Sequence, residues 1–316
     1  MKILVNATTC VVGGGVQVAA AFITQAMRDS KGFLFTFAVS SQVMKNLSEM
    51  AKQDKRVHEI TPSPARLWEG RYSRRQLHSI ESEFRPDVVF TIFGPSYLRF
   101  RATHICGFAA GWVTHRSRMA LSALSPLLKV RTLALCRYKL WHLSPKDYYW
   151  VEADVACKGL VGLLNINPTR VKVIPNSYAD VFEQNIQEYR NQNTNAITYI
   201  LCLAAPYPHK NLCIIPEVAK LLRHKDSERS YSFIVTLPEK GSEVRKFWAK
   251  VEDCGVTSMI ENAGRLKLSE CPCWYAKSNI VFLPTLLETF SATYPEAMKM
   301  GKPIVTTDLD FARDIC

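Results

Sequence analysis

The sequence is short of three things, and each shortage narrows what the chain can be. No apolar run reaches the roughly 18 to 20 residues that a helix crossing a bilayer requires. No two cysteines form a C-x-x-C pair. The ten cysteines are scattered through apolar stretches, as at Cys106, Cys136, Cys202 and Cys213, while Cys271 and Cys273 merely flank a proline. That pattern argues for reduced, small core residues of a cytosolic protein, and no metal is expected. Finally, there is no acidic residue between Asp87 and Asp147, a stretch that holds nine bases from Arg99 to Lys146.

Two nucleotide signatures are missing as well. Gly13, Gly14 and Gly15 are followed directly by Val16-Gln17-Val18, so there is no G-x-G-x-x-G for a nicotinamide. No Gly-Lys-Ser/Thr follows, which removes a P-loop, and no resident cofactor is called for. The apolar N-terminus does not read as a signal peptide, because Asn6, Thr8, Thr9, three glycines and Gln17 interrupt it. A strand over residues 2–6, a glycine turn and a helix from about Val16 fit better.

What is present is the composition of a soluble globular protein, 47% hydrophobic and 22% charged over 316 residues. That length exceeds what one core usually serves, so two domains are expected. The net charge of +12 is uneven: residues 1–190 hold 25 Lys and Arg against 14 Asp and Glu, residues 191–316 hold 15 against 14. A basic first half attracts anionic partners such as lipid headgroups or phosphorylated acceptors. Nucleic acid is not expected, since no recognition module accompanies the charge.

Strands and helices alternate, and the alternation occurs twice, the pattern of parallel sheets flanked by helices. Strands are predicted at 2–6, 33–39, 87–92, 104–108, 148–153 and 171–174, then at 197–203, 231–236, 258–260, 280–283 and 303–306. Arg85-Pro86 should stop a helix over 67–84, since proline cannot continue the ladder. Further helices are predicted at 211–222, 243–253, 269–276 and 291–300, with one over 119–141 broken at Pro126. Its bases do not share one helical face, which leaves a helix packed on its domain and a membrane-surface or lipid-phosphate site both open. The polar segment 178–195 reads as a linker. The expected architecture is therefore α/β, two doubly wound Rossmann-like lobes facing a cleft: an N-terminal domain 1–177, the linker, and a C-terminal domain 196–316.

Chemistry concentrates in Leu283-Pro-Thr-Leu-Leu-Glu288-Thr-Phe-Ser-Ala-Thr-Tyr-Pro-Glu296. A strand end leads to a carboxylate-bearing loop, then to a helix opening near Ser291 whose backbone N–H groups at Ser291, Ala292 and Thr293 suit a diphosphate. The eight-residue spacing of the carboxylates is common by chance and decides nothing alone.

The surrounding sequence does more. Glu288-Thr-Phe-Ser-Ala-Thr-Tyr-Pro-Glu296-Ala-Met-x-x-Gly301-x-Pro303 resembles the E-x₇-E region of the retaining group 1 glycosyltransferases, also called family 4, which have the GT-B fold. Ala263-Gly264-Arg265-Leu266, Trp274-Tyr275-Ala276, His209-Lys210-Asn211 and Val173-Ile174-Pro175-Asn176 resemble further motifs of that family, and Gly13–Gly15 its N-terminal glycine loop. The resemblance spans nearly the whole chain and is dense from about Val171.

The resemblance implies a nucleoside-diphosphate sugar as donor and a glycan or polyprenyl-phosphate-linked acceptor, with retention of configuration and no metal. It puts Lys210 at the diphosphate, Glu288 near the donor sugar and Glu296 on the ribose, with Ser291, Ala292, Thr293 and Arg265 around the donor. Gly13, Gly14 and Gly15 would let backbone approach phosphate or acceptor. It also implies a place in bacterial surface polysaccharide synthesis, in the cytoplasm or peripherally at the inner face of an anionic membrane.

Two departures stand out. Ala205 occupies the place where the family has an arginine, and the first domain lacks the family's histidine after a central strand, leaving His115 as the nearest candidate on the acceptor side. The chain also stops at Cys316, before the last helices of the family, so an incomplete second lobe is expected. An inactive nucleotide-sugar-binding paralogue and an epimerase of the same fold are the alternatives.

Overall fold

A computed structural model describes residues 1–183 and 197–316, so the expected linker lies largely outside the described residues. The chain divides into two compact units: residues 1–114 with 132–174, and residues 115–131 with 175–316.

The first unit is built on seven strands: β1 (Lys2–Ala7), β2 (Leu34–Val39), β3 (Val57–Glu59), β4 (Val88–Thr91), β5 (Thr103–Gly107), β6 (Tyr148–Val151) and β7 (Val171–Val173). They pair in the order β3-β2-β1-β4-β5-β6-β7, all parallel. β1 is central, with Ile3 opposite Phe35 on one side and Val88 on the other. Its residues from Leu4 on are buried on both faces, which is why Lys-Ile-Leu-Val reads as a continuous apolar run rather than an alternating one.

Helices cover both faces of this sheet. α1 (Gly14–Arg28) sends Val16, Ala19 and Ile23 onto Val5, Phe37 and Val39. After α2 (Ser41–Asn46) and α3 (Glu49–Lys52), α4 (Gly70–Phe84) places Leu77 against Leu4 and Val89, the residues one step along each strand that face the other way. α4 ends where expected: Arg85 takes a left-handed conformation and Pro86 follows. Gly107 closes β5 where nothing larger fits, since a Cβ there would lie 1.9 Å from the Ile92 carbonyl oxygen.

The helix expected over 119–141 is indeed interrupted at Pro126. After α5 (Gly111–Thr114), α6 (Arg118–Ser122) is a short piece, and α7 (Pro126–Trp141) starts with Pro126 as its first residue, where the missing N–H costs nothing. α8 (Asp154–Leu164) then leads to β7. Residues 115–131 group with the second unit, earlier than the expected boundary at 177.

The second unit has five parallel strands, β8 (Ile197–Cys202), β9 (Ser230–Val235), β10 (Ile260–Asn262), β11 (Ile280–Leu283) and β12 (Ile304–Thr306), in the order β10-β9-β8-β11-β12. Its helices are α9 (Ile214–Lys225), α10 (Ser242–Cys254), α11 (Cys271–Lys277), α12 (Thr293–Lys299) and α13 (Asp310–Arg313). Ile215, Ala219, Phe247 and Val251 bury against Ile200, Cys202, Phe233 and Val235. All ten cysteines are free thiols. Among the described residues no helix is long and apolar enough to cross a membrane.

Candidate functional site

In a parallel sheet every strand delivers its following loop to the same edge, and a ligand site forms where neighbouring strands send their connections opposite ways. In the second unit that place is β8 beside β11, since β9 follows on one side of β8 and β12 on the far side of β11. The two loops are stitched together: Leu286 N–H donates to the His209 carbonyl at 2.7 Å, and Thr285 Oγ1 lies 3.3 Å from the same oxygen.

This stitching brings Lys210 and Glu288 together. The Lys210 ammonium donates to Glu288 Oε1, and Thr285 Oγ1 donates to the same carboxylate oxygen at 2.9 Å. The pair is mostly desolvated, with side-chain exposures of 16% and 11%. The helix predicted over 211–222 would set Lys210 at its start, where the dipole opposes a cation. Lys210 instead ends a 3-10 turn over Pro208–Lys210, Asn211 follows in a left-handed conformation, and α9 begins only at Ile214. The helix dipole therefore does not oppose it directly.

Two histidines border the pair. Burial, and then the Lys210 charge, push His209 down to about 4 against a smaller pull from Glu288, so it is neutral near pH 7. His115 lies in the second unit and meets the Glu288 backbone carbonyl through Nε2 at 2.5 Å. Burial lowers its pKa, opposed by that carbonyl and by Asp314, Asp310 and Glu288, and a neutral ring donates Nε2–H to the oxygen. Ser117 Oγ reaches the Leu286 carbonyl at 3.5 Å, and α6 packs on the Pro208–Lys210 turn. These contacts are the physical reason residues 115–131 belong to this unit.

Glu296 sits in α12, which opens at Thr293 rather than Ser291. Its first backbone bonds are Tyr294 N–H to Ser291 O at 3.1 Å and Glu296 N–H to Ala292 O at 3.0 Å, and Pro295 falls in the first turn, where no donor is needed. Ser291 and Thr293 are buried. The Glu296 side chain is buried too, and the Tyr275 hydroxyl of α11 donates to its Oε2 at 2.7 Å. Burial raises the pKa of Glu296, with the Tyr275 bond opposing. Burial and then the Glu296 charge push Tyr275 well up, so the proton stays on the phenol. Sequence reading used Tyr275 only as a motif residue; its role as the partner of Glu296 had no local signal.

Arg265 is exposed, three residues past the end of β10, and β9 separates that strand from β8. It is not brought to Lys210 by adjacency of strands. Ala205 is also exposed, in the loop that ends at Lys210.

In the first unit, Gly13 precedes α1 with φ 67° and ψ −156°, a conformation that glycine adopts without a Cβ penalty. Gly14 has open space around its Cα, while a Cβ on Gly15 would come within 3.3 Å of the Phe93 ring. The turn before it is anchored from below. Asn6 Oδ1 accepts from Thr8 N–H at 3.2 Å and Thr8 Oγ1 at 2.7 Å, and Asn6 Nδ2 donates to Thr91 Oγ1 at 3.2 Å. Thr91 Oγ1 meets His104 Nε2 at 2.8 Å, and His104 Nδ1 meets Asp147 Oδ2 at 2.9 Å. A carboxylate accepts only, so with the imidazole neutral every donor in the chain points from Asn6 toward Asp147. Sequence reading missed this network. Its only signal was a polar residue inside each of three adjacent apolar strands.

Residues 197–316 match the family described as glycosyl transferases group 1. No curated protein matches the chain. Among solved structures, the fold is similar to that of the Anabaena protein Alr3699/HepE, in complex with UDP and glucose, with a TM-score of 0.65 at 15% identity, over 99% of this chain and 82% of that one. A glycosyltransferase from Rickettsia africae ESF-5 gives 0.68 at 14%, over 98% and 79%. WaaG, a glycosyltransferase involved in lipopolysaccharide biosynthesis, gives 0.63 at 16%, over 100% and 83%.

Proposed function

We propose that this chain, whose residues 197–316 match the group 1 glycosyl transferases and whose two parallel sheets make the GT-B fold, moves a sugar from a nucleoside-diphosphate sugar to a hydroxyl of a glycan or lipid-linked acceptor. The observation that carries this reading is the Lys210–Glu288 pair at the junction of β8 and β11, with buried Glu296 eight residues further along the same segment.

The residues divide the work by charge. Lys210 neutralises the diphosphate as it leaves, and a single donor of this kind is typically worth about 2.7 to 4 kcal/mol in the transition state. Glu288 is then released from Lys210 and lies near the sugar, held by Thr285. Glu296, oriented by Tyr275, accepts from the two ribose hydroxyls. The N–H groups at Ser291, Ala292 and Thr293 face the phosphates, and Arg265 is the candidate to supply the charge that Ala205 lacks. On the first unit, Gly13–Gly15 admits the acceptor to the backbone.

In the reaction the bond from anomeric carbon to diphosphate oxygen breaks and the acceptor oxygen bonds to that carbon on the same face. The acceptor proton passes to an oxygen of the leaving diphosphate. The balance is complete with no metal and no cofactor. A role in polysaccharide or lipopolysaccharide assembly follows from an acceptor of that class.

The test is transfer measured with a panel of nucleoside-diphosphate sugars, alongside thermal shift with the free diphosphates, since a bound ligand raises apparent stability. Lys210→Ala and Glu296→Ala should each lower donor binding and transfer. If neither does, the site assignment is wrong. Conversion of the donor sugar without acceptor would identify an epimerase instead.

A further inference from the structure

Four large side chains stand in solvent on the first unit: Leu67 at 65%, Trp68 at 74%, Tyr72 at 62% and Trp141 at 78% exposed. Two tryptophans that exposed are unusual on a protein surface, and a group of exposed aromatic and aliphatic side chains marks an interaction site.

The two segments that carry them are held together. Tyr138 of α7 donates its hydroxyl to the Ala65 carbonyl at 3.1 Å, which ties α7 to the loop before α4. Arg74 pins that loop from within, donating to the Pro64 carbonyl at 2.5 Å and the Leu67 carbonyl at 3.0 Å, and its charge is felt by His142 just past α7. The loop is therefore a fixed platform.

The charge around the aromatics is mostly positive. Arg66, Arg71, Arg75 and Arg137 are exposed, and the Arg71 guanidinium lies 4.6 Å from the Trp68 ring centroid. The acid in this loop, Glu69, is already taken by Arg66. Along α7 and its flanks no acid occurs until Asp147.

We infer that this face, formed by residues 66–75 and the end of α7, rests on an anionic lipid surface. Leu67, Trp68 and Trp141 enter the boundary between headgroups and acyl chains, the depth at which tryptophan and tyrosine accumulate. Arg75 and Arg137 meet headgroup phosphates, and Arg71 does so while covering Trp68. Charge alone would fit many anions, but hydrocarbon and indole beside it select a surface with an apolar interior. The face goes beyond the transfer reaction and uses none of the residues assigned to it.

Vesicle co-sedimentation of the full chain tests this, comparing phosphatidylglycerol with phosphatidylcholine. We expect binding to the first, weak binding to the second, and release as salt is raised from about 0.1 M to about 1 M. Trp68→Ser with Trp141→Ser should weaken binding about tenfold or more, and so should Arg75→Glu with Arg137→Glu. These positions are exposed, so thermal stability and the shift produced by nucleoside diphosphate should stay unchanged, which separates this inference from the proposed transfer. On the unmodified chain, brominated phosphatidylglycerol should quench tryptophan fluorescence. Absence of binding to phosphatidylglycerol, binding indifferent to both double variants, displacement by inorganic phosphate, or no bromine quenching would each overturn the inference. So would retention on single-stranded nucleic acid without any on vesicles.

Discussion

The Tyr275 hydroxyl donates to Glu296 Oε2 at 2.7 Å with both side chains buried, so a carboxylate in an apolar setting is held by one neutral donor. Glu296 therefore has a raised pKa in the folded chain, and the folded state binds its proton more tightly than the unfolded chain does. Its contribution to stability is greatest in acid and declines as pH rises above the ordinary carboxylate value of 4.5. Glu296→Gln should accordingly gain stability relative to the parent on moving from pH 4 to pH 7, while losing nucleoside-diphosphate binding. Denaturant melts at the two pH values measure the first, thermal shift the second.

Removing the phenol acts on the same bond from the other end. Tyr275→Phe leaves the buried carboxylate without its donor, and we expect a loss of about 1 to 3 kcal/mol in unfolding free energy at neutral pH. The loss should shrink in acid, where protonated Glu296 no longer demands a donor.

Lys210 and Glu288 are coupled more strongly, because each neutralises the other in a partly desolvated loop. Lys210→Ala strands the Glu288 charge and should cost about 3 kcal/mol of stability. The double variant Lys210→Ala/Glu288→Ala should recover much of that stability and none of the donor binding. A double-mutant cycle in which stabilities simply add would show that the pair is not formed.

His209 sets an acid limit. Its folded pKa of about 4 lies below its ordinary 6.5, so the stability it contributes is complete above 6.5 and disappears as pH falls through 4. The size of that loss is at most about 3 kcal/mol. His209→Gln should flatten the stability profile between those pH values, read by chemical denaturation at half-unit steps.

In the first unit, Thr91→Val removes the hydroxyl between Asn6 and His104. Two buried polar groups lose a partner at once, and we expect a loss of about 2 kcal/mol. The amides of Thr8 to Cys10 should exchange with solvent faster, since Asn6 fixes that turn.

Most strands were legible because a parallel sheet buried on both faces needs unbroken apolar runs, as in Ile3-Leu4-Val5 or Ile280-Val281-Phe282-Leu283. β3 was not, for it has three residues, and His58 and Glu59 give it no apolar signature. The break at Pro126 was visible in one residue. The true start of α9 was missed, because the apolar run from Leu212 suggests a helix at once, whereas Asn211 takes the left-handed turn that asparagine tolerates and α9 begins only at Ile214. Glu288, Glu296 and Lys210 could be singled out by their neighbours in sequence. Their partners could not: Lys210 finds Glu288 across 78 residues, and His115 reaches the Glu288 carbonyl across 173. Such contacts are set by strand order, which no short window contains.

That strand order also governs synthesis. β8 emerges from the ribosome first among its sheet, yet its neighbour β11 is made after both β9 and β10. A nascent chain paused at residue 270 can already pair β8 with β9, but its Lys210 has no counterion and the β11 side of β8 is a bare edge. The junction of β8 and β11 therefore closes only after β9 and β10 have been made, and for that interval the exposed edge of β8 is where a holding chaperone, or another unfinished chain, would bind.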